Sequence, residues 1–295
     1  MTSASYQPGH LWLPPPALSA CVRAAVMRST LGHALDETQR FNHFPASPVC
    51  TISWFFSGVA ELAGAEPSAE GSALLPRIVV SGPQSRPLVS WNPGAVDGLM
   101  LMIYPDAFHA MTGMDPTGFI DRFAPAAEVL PAEWYRWCEA VLDCRGEQQR
   151  LERVEEFLAE QWYAFDRAHG TVVRRFEDWA QNLATRAAIS GRGRSLRQIE
   201  RRIKAWTGQP LRGLRTLGRA ERAFFAAVMA SDIARPDWTE VAGLAGYADQ
   251  SHLCREVKRV TGFSPQDLHR RMHQDESLWV YRVWGQHMGT CDRLS

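Results

Sequence analysis

Short runs of β-favouring residues, separated by Gly and Pro, make up the pattern of the first 125 positions. Strands are predicted over 51–56, 77–80, 88–91 and 99–104, because each run favours β structure and is bounded by turn residues. One early helix is predicted over 18–28, after a run of three prolines. Short strands at this spacing favour a small barrel or sandwich over alternating β-α units.

A helical pattern replaces the strands from residue 131 onward. Helices are predicted over 133–142 and 147–166, and the second has an apolar stripe at helical spacing. The stripe consists of Leu151, Val154, Leu158, Trp162 and Phe165, with Phe157 beside it. It is compatible with packing onto the chain's own β-rich domain or with pairing to a second copy in a homodimer, and both interpretations stay open here. From 171 to 274 the pattern is helical throughout.

The net charge of zero conceals a division along the chain. Residues 1–170 carry 11 Arg against 19 Asp and Glu, whereas residues 171–274 carry 19 Lys and Arg against 10 Asp and Glu. This division predicts a β-rich domain over 1–168, which includes the helices of 131–168, then a basic helical domain over 171–274 and a tail over 275–295. A basic domain favours nucleic acid as a partner, although a solvated basic face gives the same pattern.

An internal repeat lies in the basic domain. The only two lysines of the chain, Lys204 and Lys258, are 54 residues apart, and each begins a Lys-x-x-Thr-Gly segment. The other pairs that match at this offset are Ser195 and Asp249, Ile199 and Leu253, Arg201 and Arg255, and Ile203 and Val257. Each copy therefore consists of a capping residue, a helix with two apolar positions four apart, and a Gly at its end.

The second copy has the sequence form of a helix-turn-helix. Asp237 and Glu240 form a capping arrangement before a short helix that extends through Leu244, and Gly246 supplies a turn. Asp249 then caps a helix over 250–260 with a polar outward side. A short helix, a small-residue turn and a capped polar helix predict a unit that places its second helix in the major groove. Any surface helix also has a polar face, so the pattern alone leaves the alternative open.

The segment 238–271 reads WTEVAGLAGYADQSHLCREVKRVTGFSPQDLHRR. It resembles the C-terminal signature of the AraC/XylS transcription regulators in Ala-Gly of the turn, Gly-Tyr-x-Asp-Gln-Ser-His, Arg-x-x-Lys-Arg-x-Thr-Gly and the closing Phe-Ser-Pro. The resemblance implies a seven-helix DNA-binding domain over about 171–274, with two helix-turn-helix units joined by a long helix, for which 214–229 is the candidate. It also implies a regulator of transcription, with RNA polymerase as a partner if the protein is an activator.

The first copy departs from the family's pattern before its second helix. The helix over 195–206 fits, but the segment 187–194 is longer, more basic and richer in Gly than the family's turn. We expect Arg192 and Arg194 to contact phosphates there, and we expect the second copy to dominate sequence specificity. The predicted DNA-binding residues are Arg192, Arg194, Ser195, Arg197, Glu200, Arg201, Lys204, Gln250, Ser251, His252, Cys254, Arg255 and Lys258.

The β-rich half resembles, more weakly, the sensor domains that precede this DNA-binding module in many AraC/XylS members. That resemblance implies a small-molecule effector, dimerisation, or both. Trp12, Trp54, Trp91 and Tyr104 are the candidate lining of an apolar effector pocket, and barrel core is the alternative explanation for them. A small-molecule-binding or enzymatic barrel, with a helical domain that serves protein interaction, is the alternative function.

Composition and motifs exclude several classes of protein. The usual catalytic signatures are missing and the histidines lack the close spacing of a metal-binding cupin, so we expect no enzyme, no metal and no cofactor. We expect no secretory signal and no membrane span. The six cysteines form no Cys-x-x-Cys pair, which favours reduced thiols in a cytoplasmic protein.

Overall fold

The computed structural model describes residues 9–63, 73–163, 176–190, 195–231 and 236–291. They form an α+β fold in which an antiparallel β domain precedes a helical region, and the predicted fold class is confirmed. The strands are β1 (His10–Trp12), β2 (Val22–Ser29), β3 (Phe41–Phe44), β4 (Cys50–Ser57), β5 (Glu61–Leu62), β6 (Ala73–Leu74), β7 (Ile78–Ser81), β8 (Leu88–Trp91), β9 (Asp97–Ile103) and β10 (Phe123–Pro125). The helices are α1 (Pro105–Thr112), α2 (Ala126–Val129), α3 (Ala132–Leu142), α4 (Glu147–Tyr163), α5 (Phe176–Ile189), α6 (Leu196–Thr207), α7 (Leu211–Ser231), α8 (Trp238–Leu244), α9 (Gln250–Thr261), α10 (Pro265–Met272) and α11 (Trp279–Cys291).

The strands form two antiparallel sheets. The larger sheet has the order β1-β2-β9-β4-β7-β10, and the smaller one has the order β3-β8-β5-β6. The four strands that the sequence predicts correspond to β4, β7, β8 and β9, with boundaries that differ by at most two residues. All pairings within both sheets are antiparallel, and side chains of both sheets border a common interior, so the two sheets form a sandwich.

The predicted helix over 18–28 is wrong, because residues Val22–Ser29 form strand β2. This strand pairs with β1 on one side and with β9 on the other. Six of its eight residues are buried, so both of its faces are covered and the alternation typical of a half-exposed strand is missing. Ala and Met in the segment favour a helix, but pairing with β1 and β9 makes it a strand.

The two faces of the larger sheet have different surroundings. Ile52 and Leu101 point to one face and are fully buried in a core that also contains Trp134 and Leu158 of the covering helices. On the opposite face, Ser53 and Met100 are only half-buried, although their strands β4 and β9 lie in the middle of the sheet. The main core therefore lies between sheet and helices, and the interior of the sandwich is open.

The apolar stripe of α4 packs within its own chain. Val154, Leu158 and Trp162 are buried, and the ring of Phe157 stacks on Trp137 of α3 with centroids 4.4 Å apart. Of the two interpretations of the stripe, the intrachain one is therefore what the structure contains. The predicted homodimer stays a prediction, and Phe165 lies outside the described residues.

The helical region contains the elements that the repeat predicts. The long connecting helix is α7, which includes the whole predicted range 214–229. Helices α8 and α9 pack on α7 through a small core that contains Ala227, Val241, Leu253 and Val257. Between α8 and α9, Gly246 has a φ of +75°, a conformation that L side chains rarely adopt, and this allows the tight turn.

The tail, which has no assignment from sequence, contains helix α11. This helix packs on α7 and on the first strands of the β domain. Gly285 lies in the helix, and a Cβ at that position would be 3.4 Å from a methyl carbon of Val228 on α7. This is an ordinary van der Waals distance, so helix α11 continues through Gly285 while packing on α7.

The junction between β domain and helical region is built from buried polar contacts. Asp106 of α1 accepts hydrogen bonds from Trp179 Nε1 at 2.9 Å and from Arg186 Nη1 at 2.7 Å. The Trp179 ring also stacks on Tyr104, with centroids 4.7 Å apart. At the other end, the Ala46 N–H donates to the Val260 carbonyl of α9 at 2.7 Å. Both helix-turn-helix units are thus in contact with the β domain.

Candidate nucleic-acid interface

Helix α9 is held by its inward side and leaves its outward side free for contacts. The Asp249 carboxylate accepts the N–H of His252 at 2.7 Å and thereby caps the helix. Leu253, Val257 and Val260 are buried beneath it. Arg219 of α7 binds Glu256 with N–O distances of 3.0 Å, which fixes the rotation of α9 about its axis.

The predicted DNA-binding residues of α9 lie on its accessible side. Gln250, Ser251, Arg255 and Lys258 are exposed, whereas His252 and Cys254 are half-buried. His252 also lies 3.5 Å from Glu256, within the same helix.

Helix α6 has the same construction. Ser195 and Gln198 form a capping box, in which the Ser195 hydroxyl accepts from the Gln198 N–H and the Gln198 side chain accepts from the Ser195 N–H. Ile203 and Thr207 are buried. The predicted residues on this helix, Ser195, Arg197, Glu200, Arg201 and Lys204, are all exposed. Arg192 and Arg194 lie outside the described residues.

The repeat extends to the hydrogen bonds that end the two helices. The N–H of Gly208 donates to the Lys204 carbonyl at 2.8 Å, and the N–H of Gly262 donates to the Lys258 carbonyl at 2.8 Å. Both glycines have a positive φ, of +73° and +84°. The two helices also have equal lengths of 12 residues. The sequence repeat is therefore a structural repeat.

The side chain that follows each cap differs between the copies. The predicted DNA-binding residues therefore include Gln250 of α9 but not its equivalent in α6. At the offset of 54 residues, Leu196 is the equivalent of Gln250. Leu196 is 82% exposed, the largest exposed fraction among the exposed large hydrophobic residues of the described chain. Arg259, at the end of α9, is exposed as well and was also missed. The repeat offset would have identified Leu196.

The two helices differ in their attachment. Helix α6 packs against α1 and contributes Ile203 to the same core as the β domain. At its end, a Cβ on Gly208 would lie 2.8 Å from the Pro116 carbonyl oxygen, so only glycine fits against the β domain there. Helix α9 instead belongs mainly to the separate core with α7 and α8.

The four candidate effector residues do not come together. Tyr104 stacks on Trp179, and Trp12 packs against the main core. Trp54 is fully buried and donates from Nε1 to the Cys138 carbonyl at 3.0 Å. The ring of Trp91 lies 6.3 Å from Phe41. Of the four, only Trp54 borders the cavity inside the sandwich, and its indole nitrogen already donates to α3.

A cavity of about 300 Å³ occupies the interior of the sandwich and continues to the helices of the C-terminal region. The sheets contribute residues such as Phe44, Met100 and Met102, and the helices contribute residues such as Phe224 and Trp284. Apolar side chains predominate in its wall. The cavity is therefore bounded by both parts of the chain.

Several half-buried titratable groups lie near the junction. Burial lowers the pKa of His43, aided by Arg271, and burial together with His273 lowers the pKa of His269. Burial raises the pKa of the Glu221 carboxyl, against the opposing effect of Arg23. Among the described residues, no group of three or more His, Cys, Asp or Glu side chains is placed to hold a metal ion.

No protein-family model matches the chain, and no curated protein sequence matches it. Solved structures of ToxT from Vibrio cholerae are similar to it. An apo ToxT variant from strain SCE256 has 11% identity and a TM-score of 0.41, over 83% of this chain and 97% of that one. A second ToxT structure has 12% identity and a TM-score of 0.37, over 78% and 94%. ToxT from strain O395 bound to a naphthalenyl butenoic acid has 9% identity and a TM-score of 0.36, over 89% and 97%.

No helix in the described part of the chain combines the length and the apolarity that a membrane crossing requires. In the described part of the chain, Cys21, Cys50, Cys138, Cys144 and Cys254 are not joined in disulfide bonds.

Proposed function

We propose that this protein is a sequence-specific, effector-responsive DNA-binding regulator of transcription, of the AraC type that segment 238–271 resembles. The observation that carries the proposal is the structural repeat of α6 and α9. Each helix is capped, ends at a glycine and exposes most of the residues that the sequence assigns to DNA on it. Two equivalent helices on one chain suit two successive major grooves.

The exposed side chains have the chemistry that DNA recognition needs. Arginine donates two hydrogen bonds to guanine, and glutamine pairs with adenine, so Arg255 and Gln250 are suited to base edges. Lys204 and Lys258 supply positive charge for phosphates. Glu200 is exposed on α6 and is suited only to a cytosine amino group, which supports the second copy as the main determinant of specificity.

The cavity is the proposed binding site of the effector. It is bounded by the β domain and by α7 and α11, so an occupant contacts both parts of the chain. A ligand that binds one arrangement of these parts better than another shifts the population toward it. We therefore propose that an effector alters the positions of α6 and α9, and thereby the affinity for DNA.

The test begins with the full-length chain, because residues such as Trp179 and Ile203 share a core with the β domain and would be exposed in a C-terminal fragment. The protein is incubated with genomic DNA fragments of the encoding organism, and the retained fragments are sequenced. Recovery of a shared sequence supports the proposal. Uniform retention of all fragments contradicts sequence-specific binding, and retention of none contradicts DNA binding and favours a helical region that serves protein interaction.

On the recovered site, we expect Arg255→Ala to weaken binding by about 1–3 kcal/mol, because bidentate base contacts have about this value. Arg136→Ala is the matched control, since Arg136 is exposed on α3 of the β domain. Affinities are measured by fluorescence anisotropy with a labelled duplex. Equal affinities of the two variants would contradict the assignment of α9 to the groove.

We also expect Leu196→Ala to weaken DNA binding, because an exposed leucine at the start of α6 is suited to contact a thymine methyl. The expected loss is about 0.8 kcal/mol, the value of burying one methyl-sized group. Replacement of each thymine of the site by deoxyuridine, which lacks that methyl, provides the check. One replacement should weaken the unmodified protein but not Leu196→Ala. Leu244→Ala, at another exposed leucine, is the control. Additive losses at every thymine would exclude the contact.

A further inference from the structure

The chemistry of the cavity wall indicates the class of molecule that the cavity binds. That such a molecule regulates DNA binding rests on the proposed function. In the larger sheet, the inward residues Ser53 and Met100 are half-buried while their outward neighbours are fully buried. The smaller sheet contributes Phe44 and Leu88 to the same space. The interior of the sandwich is therefore accessible to a ligand rather than filled by side chains.

Helices of the C-terminal region form the other side of the space. Phe224 and Val228 lie on α7, and Trp279 and Trp284 lie on α11. These side chains offer a large apolar surface, and burial of apolar ligand surface against them favours binding. The volume of about 300 Å³ lies at the lower end of the usual range for ligand pockets.

The charged groups in the wall are already compensated. Arg23 of β2 forms a salt bridge with Glu221 of α7, across the boundary between the two parts of the chain. Arg28 donates to Asn42 Oδ1, to the Gln39 carbonyl and to Glu276, and its guanidinium lies 5.0 Å from the Trp279 ring centroid.

Several neutral polar groups of the wall are paired in the same way, whereas the buried hydroxyl of Tyr281, another wall residue, has no hydrogen-bond partner among the described residues. The Thr51 and Ser81 hydroxyls are hydrogen-bonded to each other at 2.8 Å, and Asn42 donates to Asn92 at 2.8 Å. The side chain of Asn42 also accepts from Trp279 Nε1 at 2.9 Å. The paired groups need no ligand, and the Tyr281 hydroxyl can be satisfied by one neutral acceptor such as an ester carbonyl.

We propose that the cavity binds a neutral, largely apolar small molecule and discriminates against carboxylates. A carboxylate in this space would have to displace Glu221 from Arg23 or accept at most from the neutral Tyr281 hydroxyl, and a buried charge without a counter-charge is unfavourable. A neutral molecule of the same shape gains the apolar contacts without this penalty. Glu221 therefore determines ligand charge, in addition to its contact between β2 and α7.

The probes are decanoate and methyl decanoate, which share a hydrocarbon chain and differ in charge at about pH 7.5, where carboxyl groups are ionised. We expect the full-length protein to bind the ester at least about tenfold more tightly than the acid in isothermal titration. Glu221→Gln should raise the affinity for decanoate at least about tenfold, because Arg23 then lacks its counter-charge. Glu177→Gln is the control, since Glu177 pairs with Arg222 on the surface.

A second variant keeps the test decisive if Glu221→Gln does not fold. Met100→Trp fills the space from the middle of strand β9 and should abolish ester binding. Equal or tighter binding of decanoate by the unaltered protein, or no binding of either probe, overturns the proposal. DNA titrations with and without the ester separate the two claims. An unchanged DNA affinity with bound ester contradicts the effector role in the proposed function and leaves the ligand chemistry standing.

Discussion

Asp106→Ala is expected to lower the free energy of unfolding by about 2–4 kcal/mol, because it removes the acceptor of a buried indole N–H and the partner of an arginine. The Trp179 Nε1 donor would lose its hydrogen bond to the carboxylate in a site with almost no solvent access. Arg186 is less affected, since its side chain is 37% exposed and retains water. Urea unfolding followed by tryptophan fluorescence measures the change.

Two further variants identify the cause of that loss. Asp106→Asn keeps an oxygen that accepts from Trp179 and removes the charge that faces Arg186, so we expect it to be less destabilising than Asp106→Ala. Glu128→Ala removes an exposed carboxylate on α2 and should change the stability by no more than about 0.5 kcal/mol. If Asp106→Ala were as stable as Glu128→Ala, the contact would not hold α5 to the β domain.

The elements that the sequence predicts well are those whose signals are local. The capped helices α6 and α9 follow from Ser195 and Asp249 at their starts and from Gly208 and Gly262 at their ends, all of which act within one turn of the helix. The repeat adds a second, independent signal, because chance does not easily match side chains at a constant offset. The amino-acid pattern is therefore sufficient to assign the outward faces of these helices to solvent.

Errors occur where tertiary contacts decide the conformation. Strand β2 is covered on both faces, so its composition resembles a helix and only its pairing with β1 and β9 makes it a strand. The sequence gives no assignment for the tail, and the structure places helix α11 there, packed on α7, β1 and β3. Neither outcome depends on neighbouring residues in the chain, which is why no local pattern predicts them.

The positions of the candidate effector residues also depend on tertiary contacts that the sequence does not show. Aromatic side chains in a β-rich segment indicate an apolar interior, but they do not say which face of the sheet they occupy. Tyr104 turns toward Trp179 and Trp54 turns toward α3, whereas the open interior is bordered by less conspicuous residues such as Ser53 and Met100. A one-residue change in strand register exchanges the two faces, so sequence alone could not locate the cavity.

The affinity for DNA is expected to depend steeply on the salt concentration. We expect the affinity of the full-length protein for its recovered DNA site to fall by about 10³-fold between about 50 and 200 mM salt, because bound cationic side chains release counterions from DNA. The described parts of α6 and α9 expose six cations, Arg197, Arg201, Lys204, Arg255, Lys258 and Arg259. If all six contact phosphates or the groove, the slope of log affinity against log salt is about −5.

The same titration separates charge from base recognition. Lys258→Ala should reduce the slope by about one unit and weaken the specific site and a scrambled duplex alike, because a phosphate contact is independent of sequence. Gln250→Ala should leave the slope unchanged and reduce only the preference for the specific site, since its amide side chain has no charge. A slope near zero would contradict DNA binding through these helices. A slope that Lys258→Ala leaves unchanged would instead place the phosphate contacts elsewhere on the chain.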